Sequence, residues 1–596
     1  MREQWLVAAK KADFQEIGRT FGIDPVIARI IRNRDLIQMQ EIENFLHGSL
    51  DQLPDPFLLP DMNKAVDTLI AHRDKKIRVI GDYDIDGVCS SYILYRGLSA
   101  LGIETDVAIP HRVTDGYGLN DRLVMQAAED GTKLIITCDN GIAAAKQAEL
   151  AAELGMKMII TDHHEVPYEE KTDENGQIIR EWILPQAEAV VDPKRADSRY
   201  GYEGICGAFV AFHVINALYD RVGFYDEKIY HELLELTAFA TVGDVMELKK
   251  ENRIVVRYGL QRMKNSANVG LRALIAVCGL EGRDISPYHV GFVLGPCMNA
   301  TGRLDSAGRA LELLKETDYS QALLIAQELK GLNDSRKDLT QKGVEQALEQ
   351  LEDWDAAAQP VIVLYLPQCH ESLAGIIAGR IREKYNHPVF ILTKGEEGVK
   401  GSGRSVEAYS MYDELCKCKD LFTKFGGHKM AAGISLPEEN VKLFRERINA
   451  VCTLKEQDFV KTIHIDVPMP LSYVTRGFVE QLSVLEPFGT GNPKPVFAQK
   501  NLLFYSARLI GQNNRVMHFQ VEDENGERYR LTYFGPHEPF DAYVEEKFGT
   551  EELKSLYAGE GKKIHMSVVY YPDLNEYGGR TQLQFVMSAY AVSKER

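Results

Sequence analysis

Across the nine cysteines of this 596-residue chain no Cys-x-x-Cys pair occurs, and only Cys416 and Cys418 stand close together. That scatter excludes a disulfide framework and a thiolate zinc site as organising features. Nor is there an apolar run long enough to span a bilayer, and Met-Arg-Glu-Gln at the start carries no signal-peptide core, so the expected location is the cytoplasm and no membrane contact is expected. Internal repeats and low-complexity tracts are absent. Positive charge is in short supply: 69 Lys and Arg face 87 Asp and Glu, a net charge of −18. Taken alone this argues against a nucleic-acid partner. The argument weakens once several acidic groups are seen to cluster in metal-binding patterns, since a groove can be basic on an acidic protein.

Those patterns are the segments VIGDYDIDGVCSSYI, ITCDNGI and IITDHHE. Each ends an apolar, β-branched stretch in acidic or imidazole side chains: Asp82, Asp84 and Asp86, then Asp139, then Asp162, His163 and His164. A continuous apolar run reads as a buried parallel strand, and polar groups at the carboxyl ends of such strands point into the ligand crevice of an open α/β sheet. One aspartate after a strand is ordinarily a helix cap or turn residue. Three strand ends in succession, the last with adjacent histidines, favour a metal site by roughly ten to one. Carboxylate oxygen with some imidazole suits Mn²⁺ or Mg²⁺.

The same segments carry a family resemblance. GDYDIDG, CDNGI and TDHHE resemble the first three motifs of the DHH phosphoesterase superfamily. TVGDVMEL resembles the fourth, and KFGGHKMAAGIS resembles the signature of the associated DHHA1 domain. The blocks PHRVTDGYGLN, VDPKR, GPCMNATGRLDSAG, CHESLAGIIAGR, GSGRS and LEPFGTGNPKPVF follow the order found in the bacterial single-strand-specific exonucleases of that superfamily, over nearly the whole chain.

The resemblance implies two divalent cations, Mn²⁺ or Mg²⁺, about 3.5–4 Å apart, clamping the attacking and leaving oxygens of an in-line displacement. Asp86, Asp139, His163 and Asp244 would bind one; Asp84 and Asp139, with help from Asp82, would bind the other, Asp139 being the bridge. His164 would donate to a non-bridging phosphate oxygen, and Asp162 would orient a neighbour. Arg112, Ser402 and Arg404 would hold a 5′ phosphate, Arg303 a phosphate near the metals, and His370 and His428 would line the channel. Three positions depart from the family pattern: Ile80 where a histidine is common, Cys297 where arginine is usual, and Cys369 where an aromatic is usual.

Periodicity divides the rest of the chain. Residues 1–50 read as an N-terminal helical segment with Ile27, Ile30, Ile31 and Leu36 on its apolar face. Strands at 77–81, 106–109, 134–138, 158–161 and 189–191 alternate with helices, which predicts a doubly wound parallel sheet, the DHH domain at 51–315. A long, charged connecting helix occupies 316–355 and reads as solvent-bridging. A DHHA1 α/β domain follows at 356–455, and an OB-type β-barrel at 456–596, with a turn at Asn525-Gly526. Its aromatics Phe504, Tyr505, Phe519, Tyr529 and Tyr533 alternate with Arg508, Arg515, Arg528 and Arg530, a composition that suits single-stranded DNA although most of the rings belong in the core. The expectation is a monomeric 5′-to-3′ exonuclease of single-stranded DNA, releasing 5′ mononucleotides in recombination and repair, with single-strand-binding protein and a helicase as candidate partners. A phosphodiesterase of short RNA oligomers or cyclic dinucleotides is the alternative, and a catalytically silent replication scaffold the third.

Overall fold

Ile77–Ile80, Leu134–Cys138 and Lys157–Thr161 are almost wholly buried and rich in Ile, Val and Thr, the make-up of central parallel strands. With Thr105–Ala108 and Ala189–Val191 they form an all-parallel sheet in the order 105–108, 77–80, 134–138, 157–161, 189–191. Side chains alternate between two apolar layers: Val79 and Ile136 enter one, Ile80 and Ile135 the other. The winding reverses between strands 77–80 and 134–138, and a doubly wound sheet opens its ligand crevice at such a switch point. The computed structural model describes residues 3–111, 118–172, 178–304, 308–395, 398–511, 515–577 and 580–593.

Three helices are buried around most of their circumference: Ile85–Ala100 and Gly207–Val222 pack on this sheet, and Glu227–Gly243 packs on those two helices. The strands lie within a residue or two of the expected spans. An antiparallel hairpin, Tyr168–Thr172 with Ile178–Trp182, was not legible, because its alternation is interrupted by charge. The connecting helix, Tyr319–Glu349, is 31 residues long and capped by Asp318. It is docked, not solvent-bridging. Ala322, Ile325, Ala326 and Leu329 join the core of the parallel sheet, while Ala347 joins the core of the next sheet. That next sheet runs 424–427, 431–436, 399–404, 389–394, 362–365, with only the last pair parallel. Residues 50–461 form one compact unit.

The second unit joins 3–49 to 462–596. Strands Phe497–Ile510, Val516–Glu522, Arg528–Phe534, Arg580–Val592 and His565–Tyr577 pair in sequence, and the last returns to the first, closing a five-stranded barrel of the OB type. Phe504 and Phe519 are wholly buried inside it, whereas Arg508, Arg515, Arg528 and Arg530 stay exposed. The N-terminal helices are not a separate segment: Ile27, Ile30 and Ile31 share one core with Phe497, Phe504 and Tyr570. Fifty residues bury too little apolar surface to stand alone, so they complete the barrel instead.

Candidate metal centre

The Asp-x-Asp-x-Asp-Gly loop is set by two local rules. Asp84 is the N-cap of helix Ile85–Ala100, accepting the N–H groups of Asp86 and Gly87 at 2.9 and 3.1 Å. Gly87 must lack a side chain, because a Cβ there would stand 2.4 Å from the Asp82 carbonyl oxygen. Asp86 then points away from its own helix and accepts both first N–H groups of helix Gly207–Val222, Gly207 at 2.6 Å and Ala208 at 2.8 Å. Asp139 follows strand 134–138 in the left-handed region, φ 59°, a conformation aspartate tolerates better than most residues. Its N–H donates to the Thr161 carbonyl. Asp244 is the C-cap of helix Glu227–Gly243, the end where a carboxylate meets the negative pole of the helix dipole.

These residues converge. The His163 Nε2 lies 3.0 Å from Asp139, 3.5 Å from Asp86 and 3.9 Å from Asp244. Among the described residues three sets of donor atoms each fit within 4.8 Å: Asp86, His163 and Asp244; Asp82, Asp84 and Asp139; Asp139, His163 and His164. Asp139 belongs to two of them. Asp82 Oδ2 is buried with no hydrogen-bond partner among the described residues, an acceptor suited to a cation. Ile80 is sealed in the apolar layer, so this loop supplies the second set through Asp82 and Asp84. The donor set therefore fits two hard divalent cations.

Electrostatics agrees. Burial, then the neighbouring Asp84, pushes Asp82 up to about 7; burial, then Asp86 and Asp84, pushes Asp244 up to about 8. Burial and the same carboxylates push Asp139 well up. Burial holds His163 below its ordinary value, keeping the neutral imidazole that a metal needs. His164 behaves oppositely. Burial works against its charge, but Asp162 accepts from Nδ1 at 2.7 Å and raises it to about 9, leaving an imidazolium at neutral pH. Asp162 is itself pinned by the N–H groups of Ile142, His163 and His164.

A pH prediction follows from the sign of these shifts. Between about pH 4 and 8 the folded, metal-free protein retains protons on Asp82 and Asp244 that the unfolded chain has released. The stability these protons confer is full below pH 4 and is lost as pH rises through 7 and 8. In chelator, the melting temperature should fall from pH 5.5 to 8.5; with Mn²⁺ it should hold, so the Mn²⁺ shift grows with pH. A chelator curve that is flat or rises over that range would contradict the charge cluster.

Ser402 and Arg404 lie together on strand Val399–Arg404, the guanidinium donating to Ser402 Oγ at 3.1 Å. Both sit over Gly375, at the first turn of helix Ala374–Tyr385, where a Cβ would come within 2.7 Å of Arg404 and 2.9 Å of Ser402. Among the described residues no carboxylate pairs with Arg404; burial and Arg382 disfavour its charge. A partly buried arginine, a hydroxyl and a helix N-terminus make an anion site. His428 is at the same end of the sheet, its N–H donating to Ala431, the register partner of Arg404. Its ring accepts from Met430 N–H, which braces the turn. His370 caps the turn Glu371–Leu373 before that helix. Arg112 lies outside the described residues. Arg303 is on helix Gly295–Leu304, and its side chain is not described. That helix approaches the catalytic loop, with Gly302 against the Tyr83 carbonyl, and also packs beside Glu371–Leu373.

Three residues of the centre escaped the sequence reading. Gly207 lies in an apolar run with no motif, yet a Cβ there would stand 2.7 Å from Asp139 Cβ and 3.0 Å from Asp86 Oδ2. Asn299 accepts the Ile85 N–H at 2.8 Å and so braces the aspartate loop. Asp192, wholly buried at the end of strand 189–191, is raised to about 8 by burial and then by Asp162. Its signal was present: AVVD repeats the pattern of an apolar strand ending in aspartate.

Three domain families match: the DHH family N-terminal domain at residues 76–241, the DHHA1 domain at 358–454 and the RecJ OB domain at 465–589. The single-stranded-DNA-specific exonuclease RecJ of Bacillus subtilis is 32% identical over 578 residues, covering 96% of this chain and 68% of its own length. That of Escherichia coli is 31% identical, covering 95% of each chain. The structure of RecJ in complex with Mn²⁺ from Thermus thermophilus superposes with a TM-score of 0.80 at 27% identity, covering all of this chain and 80% of that one. A second RecJ structure from the same organism, with Mg²⁺, superposes at 0.74 and 26% identity, covering all of this chain and 79% of that one.

Proposed function

Since the chain belongs to the RecJ family, it is a metal-dependent exonuclease of single-stranded DNA, with the role in recombination and repair that the family implies, and we propose that it degrades the strand from the 5′ end, releasing 5′ mononucleotides. The observation that carries the reading is the position of Asp139, grouped with Asp82 and Asp84 on one side and 3.0 Å from His163 of the Asp86–His163–Asp244 set on the other.

Asp86, His163 and Asp244 with Asp139 would hold one cation, and Asp82 and Asp84 with Asp139 the other. When bound, the pair supplies an activated water and charge to offset the leaving oxygen. The chain's own groups do the rest. The His164 imidazolium, oriented through Nδ1 by Asp162, presents Nε2 to a non-bridging phosphate oxygen. Arg404 and Ser402 hold the terminal phosphate, with Arg112 as a third contact, which places the first phosphodiester at the metals. Arg303, His370 and His428 guide the strand between the two.

The chain divides into a catalytic domain at 51–315, a connecting helix at 316–355, a DHHA1 domain at 356–455 and an OB domain from 456 that the first fifty residues join. It acts as a monomer in the cytoplasm, supplied with single strands by a helicase and single-strand-binding protein. A phosphodiesterase of short RNA or cyclic dinucleotides would leave the closed barrel, with Arg528 stacked 4.7 Å over Tyr505 on its surface, without a task.

With Mn²⁺, 5′-phosphorylated single-stranded DNA should be degraded roughly a hundredfold faster than blunt duplex, and the advantage should shrink with added salt as phosphate contacts weaken. Equal rates on single strand and duplex, with no helicase present, would reject the reading; faster turnover of a cyclic dinucleotide would favour the alternative.

A further inference from the structure

Cys278 and Cys297 take no part in the centre described above, yet they form a contact pair. Cys278 caps helix Val269–Val277 and is partly exposed; Cys297 is buried in the first turn of Gly295–Leu304. Their sulfurs are 4.0 Å apart. The Cys297 thiol also lies 3.3 Å from the Val293 carbonyl and receives Asn333 Nδ2 at 3.4 Å. We propose that this pair is an oxidation site, converted by hydrogen peroxide into a disulfide that switches the exonuclease off reversibly.

The chemistry assigns distinct parts to the two sulfurs. A hydrogen bond from Cys297, then the ammonium groups of Lys330 and Lys337, lower Cys278 against the opposing effect of burial, so the accessible member is the one that ionises. Its thiolate attacks the O–O bond of peroxide, takes one oxygen as a sulfenic acid and releases the other as hydroxide, which is protonated to water. The Cys297 sulfur then attacks the sulfenic sulfur, the S–S bond forms, and the second oxygen leaves as water. Two thiols give up two electrons, and one peroxide becomes two waters.

The consequence for activity comes through the helix. Closing a 4.0 Å contact to a bond of about 2.05 Å draws Cys297 away from Val293 and Asn333. Two residues on, Asn299 holds the Ile85 N–H between Asp84 and Asp86, and one turn further Gly302 rests on Tyr83. Drawing this helix toward Cys278 displaces the brace of the aspartate loop. Displacements of about 1 Å cost on the order of a hundredfold in rate, so a loss of roughly 10- to 100-fold is expected.

The test treats the full-length protein with hydrogen peroxide, then maps peptides by mass spectrometry without reduction and measures exonuclease rate. Expected are a Cys278–Cys297 linked pair two hydrogens lighter than the free peptides, loss of rate in step with its yield, and recovery with dithiothreitol. Cys278→Ser should have the wild-type basal rate and resist peroxide. The peptide map does not depend on the exonuclease reading, so the two fail separately. The proposal is overturned if Cys278 goes to sulfinic acid with no linkage, if linkage leaves the rate unchanged, or if Cys278→Ser is inactivated equally.

Discussion

Replacement of Asp139 by asparagine should lower hydrolysis by at least about a thousandfold, equivalent to about 4 kcal/mol of transition-state stabilisation, without unfolding the protein. Asp139 is shared by two donor sets and stands 3.0 Å from His163, so its carboxylate is the group whose loss uncouples both cations at once. The fold should survive for the same reason that the residue is functional. A buried carboxylate repelled by Asp86, Asp84, Asp244 and Asp82 is held there against its own electrostatics. Neutralising it relieves repulsion, and asparagine is among the side chains that accept the φ of 59°. In chelator the variant should therefore melt at or above the wild-type temperature, while its Mn²⁺-induced shift largely disappears. Asp139→Ala should be equally inactive but somewhat less stable, because alanine in the left-handed region costs about 1–2 kcal/mol. Near-normal turnover by a folded Asp139→Asn protein would remove the residue from the centre.

The second large effect concerns the strand end. Arg404→Ala should abolish most of the preference for a 5′ phosphate over a 5′ hydroxyl, a change of about 10- to 100-fold if the guanidinium–phosphate bonds contribute about 1.5–3 kcal/mol. Arg404 donates to Ser402 and to the Gly403 carbonyl, and no carboxylate pairs with it among the described residues. Its removal deletes an unpaired, partly buried charge, so the mutant should fold and keep the full Mn²⁺ shift in melting temperature. A purely bracing arginine would behave differently: both the phosphate and the hydroxyl substrates would slow equally, and the melting temperature would drop. Polarity is read on the wild-type enzyme with strands labelled at either end. Label released first from the 3′ end would sink the assignment of Arg404, Ser402 and Arg112 to the terminal phosphate, whatever the mutant did.

The parts of the centre that could be read early are those in which one short segment carries both the strand and its functional group. Asp82, Asp84 and Asp86 follow 77–80, Asp139 follows 134–138, and Asp162, His163 and His164 follow 157–161. Asp244 was legible only through the resemblance, since a helix C-cap gives no signal of its own. Gly207 gave none and Asn299 only its place in the block GPCMNATGRLDSAG, because each serves a residue remote in sequence: Gly207 leaves room for Asp139 and Asp86, and Asn299 holds Ile85. In the barrel the turn at Asn525-Gly526 was plain, but the helices Glu538–Phe548 and Thr550–Ala558 were not, their weak apolar stripes being lost among charged residues.

By itself the sequence determined the parallel sheet, the acidic and imidazole side chains that end its strands, and the barrel that follows. The reason is that continuous or alternating apolar runs and the residues that end them are local properties, fixed within about ten positions. Tertiary structure decided that the strand order places Asp84 and Asp139 on either side of the switch point. It also decided that the connecting helix is docked along its length, that Arg404 and Ser402 meet the N-terminus of helix 374–385, and that the first fifty residues complete the barrel core. None of these is encoded in a window of sequence. Each is the outcome of burying apolar surface that no single segment could bury alone, and the partner that completes the burial is chosen by the fold as a whole.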